Sequence, residues 1–331
     1  MEFIDSSTLR DTLNRLGEAR KPFLWGISYD MSRGFAVAEP ASQSEILWQI
    51  GNAGNIDASP GPERAGSTDR DALRVIAPPT RDAYRNMFAT ISAGLHRGDS
   101  FLANLTAPTE VECDLTFREI CIRSRAPYRL AIGEEFVCFS PEPFVRIDGR
   151  RISTYPMKGT ADATLPDARR RLLDDYKELC EHHTIVDLMR NDLNSVATDV
   201  KVDRFRYVEE IATANGRILQ TSSEISGLLP EEQCRRFGDI LLPLLPAGSI
   251  SGAPKPATVD LIRRAETAPR GWYTGVFGYF DGQRMQTAVM IRCLQRHPSG
   301  RIYFHSGGGI TVNSRESEEY DELLAKIYLS L

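Results

Sequence analysis

Two stretches of this chain each fold back on an Asp-Gly pair, and they limit its architecture more than any other feature. Residues 136–155 read FVCFSPEPFVRIDGRRISTY, and residues 275–294 read GVFGYFDGQRMQTAVMIRCL. Asp-Gly supplies the positive φ that a tight hairpin turn needs, and the flanking apolar and aromatic runs are strand formers. Asp148-Gly149 and Asp281-Gly282 therefore predict two hairpins. A further turn at residues 297–300, HPSG, leads into RIYFHS, and FLWGIS at 23–28 reads as another strand. Helical patterns lie between. Leu9, Leu13 and Leu16 form one. Leu172, Tyr176, Leu179, His183, Val186, Met189 and Leu193 follow a 3.6-residue period and predict one long helix over 165–193. Tyr320, Leu323, Leu324, Ile327 and Leu331 form a stripe on a last helix. Hairpins mixed with separate helices predict an α+β fold rather than strict βαβ alternation.

The 331 residues allow two domains or one large one. Residues 51–71, GNAGNIDASPGPERAGSTDRD, are rich in Gly, Ser, Pro and Asp and read as a loop. The expected division is a modest N-terminal addition, 1–75, packed on a main domain, 76–331. With 41% hydrophobic residues there is enough apolar material to offset chain entropy, which excludes disorder as the main state. The apolar stretch 240–250 is interrupted by Pro243, Pro246 and Gly248 and is too short to span a membrane. Net charge is −5, which gives no electrostatic case for nucleic acid or an anionic membrane. Six scattered cysteines with no C-x-x-C pair, and no visible export signal, predict a reducing, cytoplasmic setting.

Several clusters could carry chemistry. Glu178 and Glu181 are three apart on the predicted long helix, as are Glu319 and Glu322 on the last one. That spacing sets two carboxylates side by side. If the helices met, four carboxylates could hold one hard cation, most naturally Mg²⁺. Spacing alone favours a solvated acidic face on each helix. Lys158, in YPMKGT, is either a surface lysine or a nucleophile, and Gly159 beside it would let backbone approach a ligand. Folding about Asp148-Gly149 is expected to bring Glu142 and Lys158 to one end of a ribbon, as an acid and nucleophile or as a strand-end ion pair. Gly307-Gly308-Gly309 could form an anion nest after a strand, or only a turn. Ser251 in AGSISGAPK could cap a helix. Arg292, expected inside a central apolar strand, needs a partner, and a substrate carboxylate would serve. The adjacent His182 and His183 cannot share a metal from one helix face and read as structural.

Together the ordered segments YPMKGT, KELCEHHTIVDLMRNDL, LPAGSISGAPKPATVDLI, RGWYTGVFGYFDG, MIR and SGGGITVNSRESEEYDE resemble the chorismate-binding enzymes. This family includes component I of anthranilate synthase and of aminodeoxychorismate synthase, and the isochorismate and salicylate synthases. The similarity runs from about residue 80 onward and is greatest to the aminodeoxychorismate branch in its short form. The resemblance implies two orthogonally packed β-sheets with outer helices. It implies Glu181 and Glu319 as the main Mg²⁺ ligands, with Glu178 and Glu322 completing an acidic cage around the cation that holds the ring carboxylate of chorismate. Gly159, Thr160, Gly307 and Gly308 match positions around that carboxylate and ring. Tyr273, Arg292 and Lys326 match residues near the enolpyruvyl group. Glu142 matches the general acid for the departing C4 hydroxyl, and Lys158 the lysine that attacks C2 before ammonia enters at C4.

The implied product is 4-amino-4-deoxychorismate, a precursor of 4-aminobenzoate and folate. No glutaminase nucleophile is visible, so ammonia from glutamine would require a separate glutamine amidotransferase subunit. Two departures qualify the match. Gln220 stands where many relatives have a histidine, so that histidine's role does not transfer. No tryptophan-pocket motif is visible, so tryptophan feedback is not expected. Anthranilate synthase component I is the alternative enzyme, although its pattern has alanine where Lys158 stands. Isochorismate and salicylate synthases activate water with a lysine at the position of Leu102, which cannot act as a base. A catalytically silent chorismate-binding subunit is the alternative of a different class.

Overall fold

Phe23–Ile27, FLWGI, is buried along its whole length, and its side chains divide between two cores. Phe23, Trp25 and Ile27 enter one apolar cluster while Leu24 enters another. A strand buried on both faces belongs inside a layered molecule. The computed structural model describes residues 2–56, 72–213, 216–329 and 331. Residues 57–71 of the expected loop lie outside the described residues.

The strands form two nine-stranded antiparallel sheets. The first runs Met157–Asp162, Gly216–Leu228, Arg151–Thr154, Pro143–Asp148, Arg284–Val289, Val276–Phe280, Phe23–Ile27, Gly34–Ala38, with Thr198–Thr213 also pairing Gly216–Leu228. The second runs Gly252–Ala253, Leu102–Cys113, Ile302–Ile310, Cys293–Arg296, Phe136–Ser140, Tyr128–Ile132, Ile46–Ile50, Ala53–Gly54, with Leu73–Ala77 also on Leu102–Cys113. The described residues include eight α-helices: α1 Ser6–Glu18, α2 Arg81–Arg97, α3 Phe117–Arg123, α4 Ala168–Asp174, α5 Tyr176–Asn194, α6 Phe237–Leu241, α7 Lys255–Ala265 and α8 Glu316–Ala325.

Four apolar clusters define the layers. Leu24, Phe35 and Phe277 of the first sheet meet Trp48, Leu130 and Phe136 of the second, so the sheets pack face to face. The outer face of the first sheet is covered by α1, α5 and α6 through Leu13, Val186, Met189 and Phe237. The outer face of the second is covered by α3, through Phe117 and Ile120. Leu102–Cys113 is also covered by α2, α7 and α8, through Ile91, Leu261 and Leu323. This is the expected α+β architecture of two sheets with outer helices. No helix of the described residues is long and apolar enough to cross a membrane.

Both Asp-Gly hairpins form, at Asp148-Gly149 and Asp281-Gly282. The runs around them differ from expectation in one way that matters. FVCFS and PFVRID are not one strand: Phe136–Ser140 lies in the second sheet and Pro143–Asp148 in the first. The chain changes sheet at Pro141-Glu142. It changes again between Arg284–Val289 and Cys293–Arg296, so Arg292 lies in a crossover, not in a central strand, with a left-handed φ of 53°. The two crossovers run side by side, with Phe139 N donating to Arg292 O at 2.9 Å and Val289 N to Glu142 O at 3.2 Å.

The predicted long helix is broken at Asp175, whose ψ of 111° is extended. The Asp175 carboxylate caps α5 by accepting from Glu178 N at 3.0 Å. Arg206 holds the end of α4, donating to Leu173 O at 2.6 Å and Leu172 O at 2.7 Å. The apolar stripe does not continue across the break, since Leu172 is buried but Tyr176, at the start of α5, is exposed. The stripe also places the wrong histidine inside: His182 is buried and His183 exposed. Asp175→Ala should remove the cap and cost about 1 kcal/mol. Thermal melting of the variant, with a lowered midpoint, checks this.

Candidate functional site

The helices α5 and α8 bring their glutamates toward the end of Met157–Asp162, and Lys158 stands among them. Lys158 Nζ lies 2.7 Å from Glu181 Oε2. It also feels the charges of Glu178 and Glu322. Burial alone pulls the ammonium's pKa down, but these carboxylates, Glu181 first, outweigh it and hold the pKa above its ordinary value. The Lys158 backbone is fixed independently, because its carbonyl accepts from the Thr221 hydroxyl. Gly159 has φ +82°, and a Cβ there would lie 2.9 Å from Glu178 Oε2. Glycine is needed twice over, for the left-handed backbone and for the carboxylate's approach. Thr160 follows on the same strand, exposed and opposite Gln220.

The α8 side is built on the glycine run. Gly307, Gly308 and Gly309 do not form a nest after a strand. They lie within Ile302–Ile310, paired with Thr106, Leu105 and Asn104. A Cβ on Gly308 would sit 3.4 Å from Glu319 Oε2 and 3.7 Å from Glu322 Oε1, so this stretch is the floor beneath the α8 carboxylates. Lys326 Nζ bridges Glu322 Oε1 and Gly307 O, both at 2.7 Å. Arg292 finds its partners on the same segment: NH1 donates to Lys326 O at 2.8 Å, and the guanidinium lies over the Tyr328 ring. Tyr273 is buried, its ring 5.3 Å from that of His305, and burial pushes its hydroxyl pKa up.

The four carboxylates differ. Burial pushes the Glu178 pKa up against the pull of Lys158, and Glu178 Oε2 is buried without a hydrogen-bond partner. Burial raises Glu319 as well. For Glu322 burial also acts upward, but Lys326 and Lys158 outweigh it and the pKa falls below its ordinary value. Among the described residues, no three acidic, imidazole or thiol groups close into a metal-binding cluster. The carboxylates face Lys158 instead. The donor set nevertheless fits a hard cation, since it consists of oxygens alone and includes one orphaned, buried carboxylate oxygen.

Glu142 does not pair with Lys158. Arg151–Thr154 turns back along Pro143–Asp148 as expected, but the chain then breaks at Tyr155-Pro156. Met157–Asp162 pairs with Gly216–Leu228 instead, and this carries Lys158 away from the hairpin. Glu142 Oε1 accepts from Ser249 Oγ at 2.7 Å. Burial raises the carboxyl's pKa, with Ser249 and Lys326 opposing, so its neutral form is favoured.

No spacing in the sequence marks Ser249 within AGSISGAPK. The start of α7, just after its loop, is held to α5 by a largely buried ion pair, Lys255 Nζ to Asp192 Oδ1 at 2.9 Å. Ser251 caps nothing: its hydroxyl donates to Ala247 O, and α7 begins after Pro254 without a side-chain cap. Behind Lys158, His182 Nε2 lies 2.6 Å from Ser223 Oγ, and burial depresses its pKa to about 4. That histidine is held neutral and braces the strand through Ser223.

A sequence profile of the chorismate binding enzymes matches residues 23–331. The chain belongs to the chorismate binding enzyme family and so is an enzyme of a chorismate-converting class. The "Uncharacterized PabA-like protein" of Haemophilus influenzae is 46% identical over 96% of this chain and 95% of its own length. Aminodeoxychorismate synthase component 1 of Klebsiella aerogenes is 31% identical over 92% of this chain and 67% of its own length. Among solved structures, MenF, the menaquinone-specific isochorismate synthase of Escherichia coli, superposes with a TM-score of 0.73 at 17% identity, covering 98% of this chain and 82% of that one. At that identity the likeness concerns the fold.

Proposed function

We propose that this chain acts as an aminodeoxychorismate synthase component I, converting chorismate and ammonia to 4-amino-4-deoxychorismate. The observation that carries the reading is Lys158: an amine on a strand end, set among four glutamates and beside a glycine that keeps the approach open. The relative from Klebsiella aerogenes bears that activity in its name. In this reading Glu181 and Glu319, with Glu178 and Glu322, hold Mg²⁺. Bound there, Mg²⁺ supplies charge neutralisation for the ring carboxylate of chorismate. Tyr273, Arg292 and Lys326 bind the enolpyruvyl side, while Gly159, Thr160, Gly307 and Gly308 leave room for the ring. The Lys158 amine attacks C2, and Glu142 gives its proton to the C4 hydroxyl, which leaves as water. Ammonia then adds at C4 and expels the lysine. With glutamine as nitrogen source, a separate amidotransferase subunit delivers the ammonia, and the product serves 4-aminobenzoate and folate synthesis.

Incubating the pure chain with chorismate, Mg²⁺ and ammonium tests this by the chromatographic retention, mass and fluorescence of the products. 4-Amino-4-deoxychorismate is expected. Anthranilate, salicylate, isochorismate or unchanged chorismate would each refute it.

A pH dependence follows from Glu142. A general acid must hold its proton, so the rate falls as pH rises through the Glu142 pKa. The Ser249 hydroxyl donates to this carboxyl and favours its charged form. Ser249→Ala should therefore raise the pKa and move the alkaline limb of the kcat profile to higher pH, and Ser249→Thr should restore it. An alkaline limb at the same pH in Ser249→Ala would show that the limb belongs to another group.

A further inference from the structure

We infer that Lys158 is a built-in competitor for the cation site, so that a divalent metal and the Lys158 ammonium exclude one another from Glu181 and metal entry uncovers the nucleophile. The inference rests on the Mg²⁺ assignment proposed above and concerns position and charge. Lys158 Nζ sits 2.7 Å from Glu181 Oε2, one of the oxygens assigned to the metal. Magnesium holds its oxygens at about 2.0–2.1 Å, so both cations on that oxygen would stand within roughly 5 Å of each other. At the half-buried site, water screens that repulsion poorly. The remaining carboxylates reinforce the lysine's hold, since Glu178 and Glu322 also attract the ammonium.

Two observations make this an exchange rather than a fixed salt bridge. First, the backbone of Lys158 is anchored separately, by the Thr221 hydroxyl and the pairing of its strand with Gly216–Leu228. Only the flexible side chain has to move. Second, Lys177 reaches the same carboxylate from outside, 3.9 Å from Glu181 Oε1 and with 68% of its side chain exposed. Loss of the Lys158 contact therefore leaves Glu181 with a cation nearby in either state. Lys326 is not an equivalent competitor, because it is also bonded to Gly307 O.

Calorimetric titration of the full chain with Mg²⁺, without chorismate, tests the exchange. Lys158→Met keeps most of the stem and removes the charge, and it should bind Mg²⁺ at least about tenfold more tightly than the wild type. Lys158→Arg keeps the charge and should bind no more tightly than the wild type. Lys177→Met removes a charge from the same carboxylate at an exposed position, where screening is strong, and should change affinity less than about threefold. Equal Mg²⁺ affinity in wild type and Lys158→Met overturns the inference, as does a matching gain in Lys177→Met or no binding to any of these proteins. Glu181→Gln in the Lys158→Met background separates the two ideas. Weaker binding there supports the cage whatever the lysine does, whereas tight binding unchanged by Glu181→Gln refutes the cage assignment and the competition with it.

Discussion

Lys158→Ala should slow formation of 4-amino-4-deoxychorismate by at least about 100-fold, a loss of about 2.7 kcal/mol of transition-state stabilisation. The expected loss is in kcat; at saturating Mg²⁺ chorismate affinity should change little, because the groups assigned to the enolpyruvyl side lie elsewhere. Arg292 and Lys326 hold one another through Lys326 O, and Lys326 is set on Gly307 O; none of these contacts involves Lys158. Nor should the fold suffer. The strand's register and the Thr221 bond to the Lys158 carbonyl do not depend on the side chain. Losing the ammonium also leaves Glu181 with Lys177 3.9 Å from its other oxygen, so the carboxylate keeps a cation nearby. Wild type given chorismate and Mg²⁺ without ammonia should carry a mass adduct on the 155–160 peptide, and the alanine variant should not. Unchanged turnover in Lys158→Ala, together with an unmodified wild-type peptide, would reduce Lys158 to a counter-ion for Glu181.

The Asp-Gly hairpins were legible because a two-residue turn demands positive φ and the sequence supplies the residues that tolerate it. The α+β class followed from those hairpins and the helical periods. Changes of sheet were not legible. FVCFSPEPFVRID keeps its apolar character across Pro141-Glu142, and alternation reports burial but not which sheet a strand joins. Glu142 and Arg292 lie in those crossovers, so their neighbours could not be read from the hairpin pattern. The glutamates' spacing on α5 and α8 was visible, but whether the two helices face one another is a tertiary fact. Ser249 carried only a weak signal, a small polar residue in a Gly- and Pro-rich loop. Its importance arises from Glu142, more than 100 residues earlier in the chain. The ordered motifs carried the family assignment, which spacing could not, because they match residue types in order without having to place them in space.

Arg270→Met should cost about 3–5 kcal/mol of stability. Arg270 and Glu266 keep only 2% and 7% of their side chains exposed. Their pair is bidentate, with Nε to Oε2 at 2.9 Å and NH2 to Oε1 at 2.7 Å. The remaining donors of the guanidinium reach Ile250 O at 2.9 Å and Asn104 O at 2.7 Å, and its face lies over the Tyr29 ring. One side chain thus joins the loop that carries Ser249, a strand of the second sheet and the segment after the first strand of the other sheet. Truncating it strands the Glu266 carboxylate in the interior, where an unpaired charge is far costlier than a missing salt bridge is on the surface. Glu266 keeps its bonds from Thr106 N and Oγ1, which soften the loss without neutralising the charge. The double variant Arg270→Met/Glu266→Leu should therefore be more stable than Arg270→Met alone, a non-additivity that identifies the buried charge as the cause. Urea denaturation of the wild type, both single variants and the double variant reads this directly. If the double variant unfolds at a lower urea concentration than Arg270→Met, the damage comes from lost packing around Tyr29 and the Ser249 loop rather than from an isolated carboxylate.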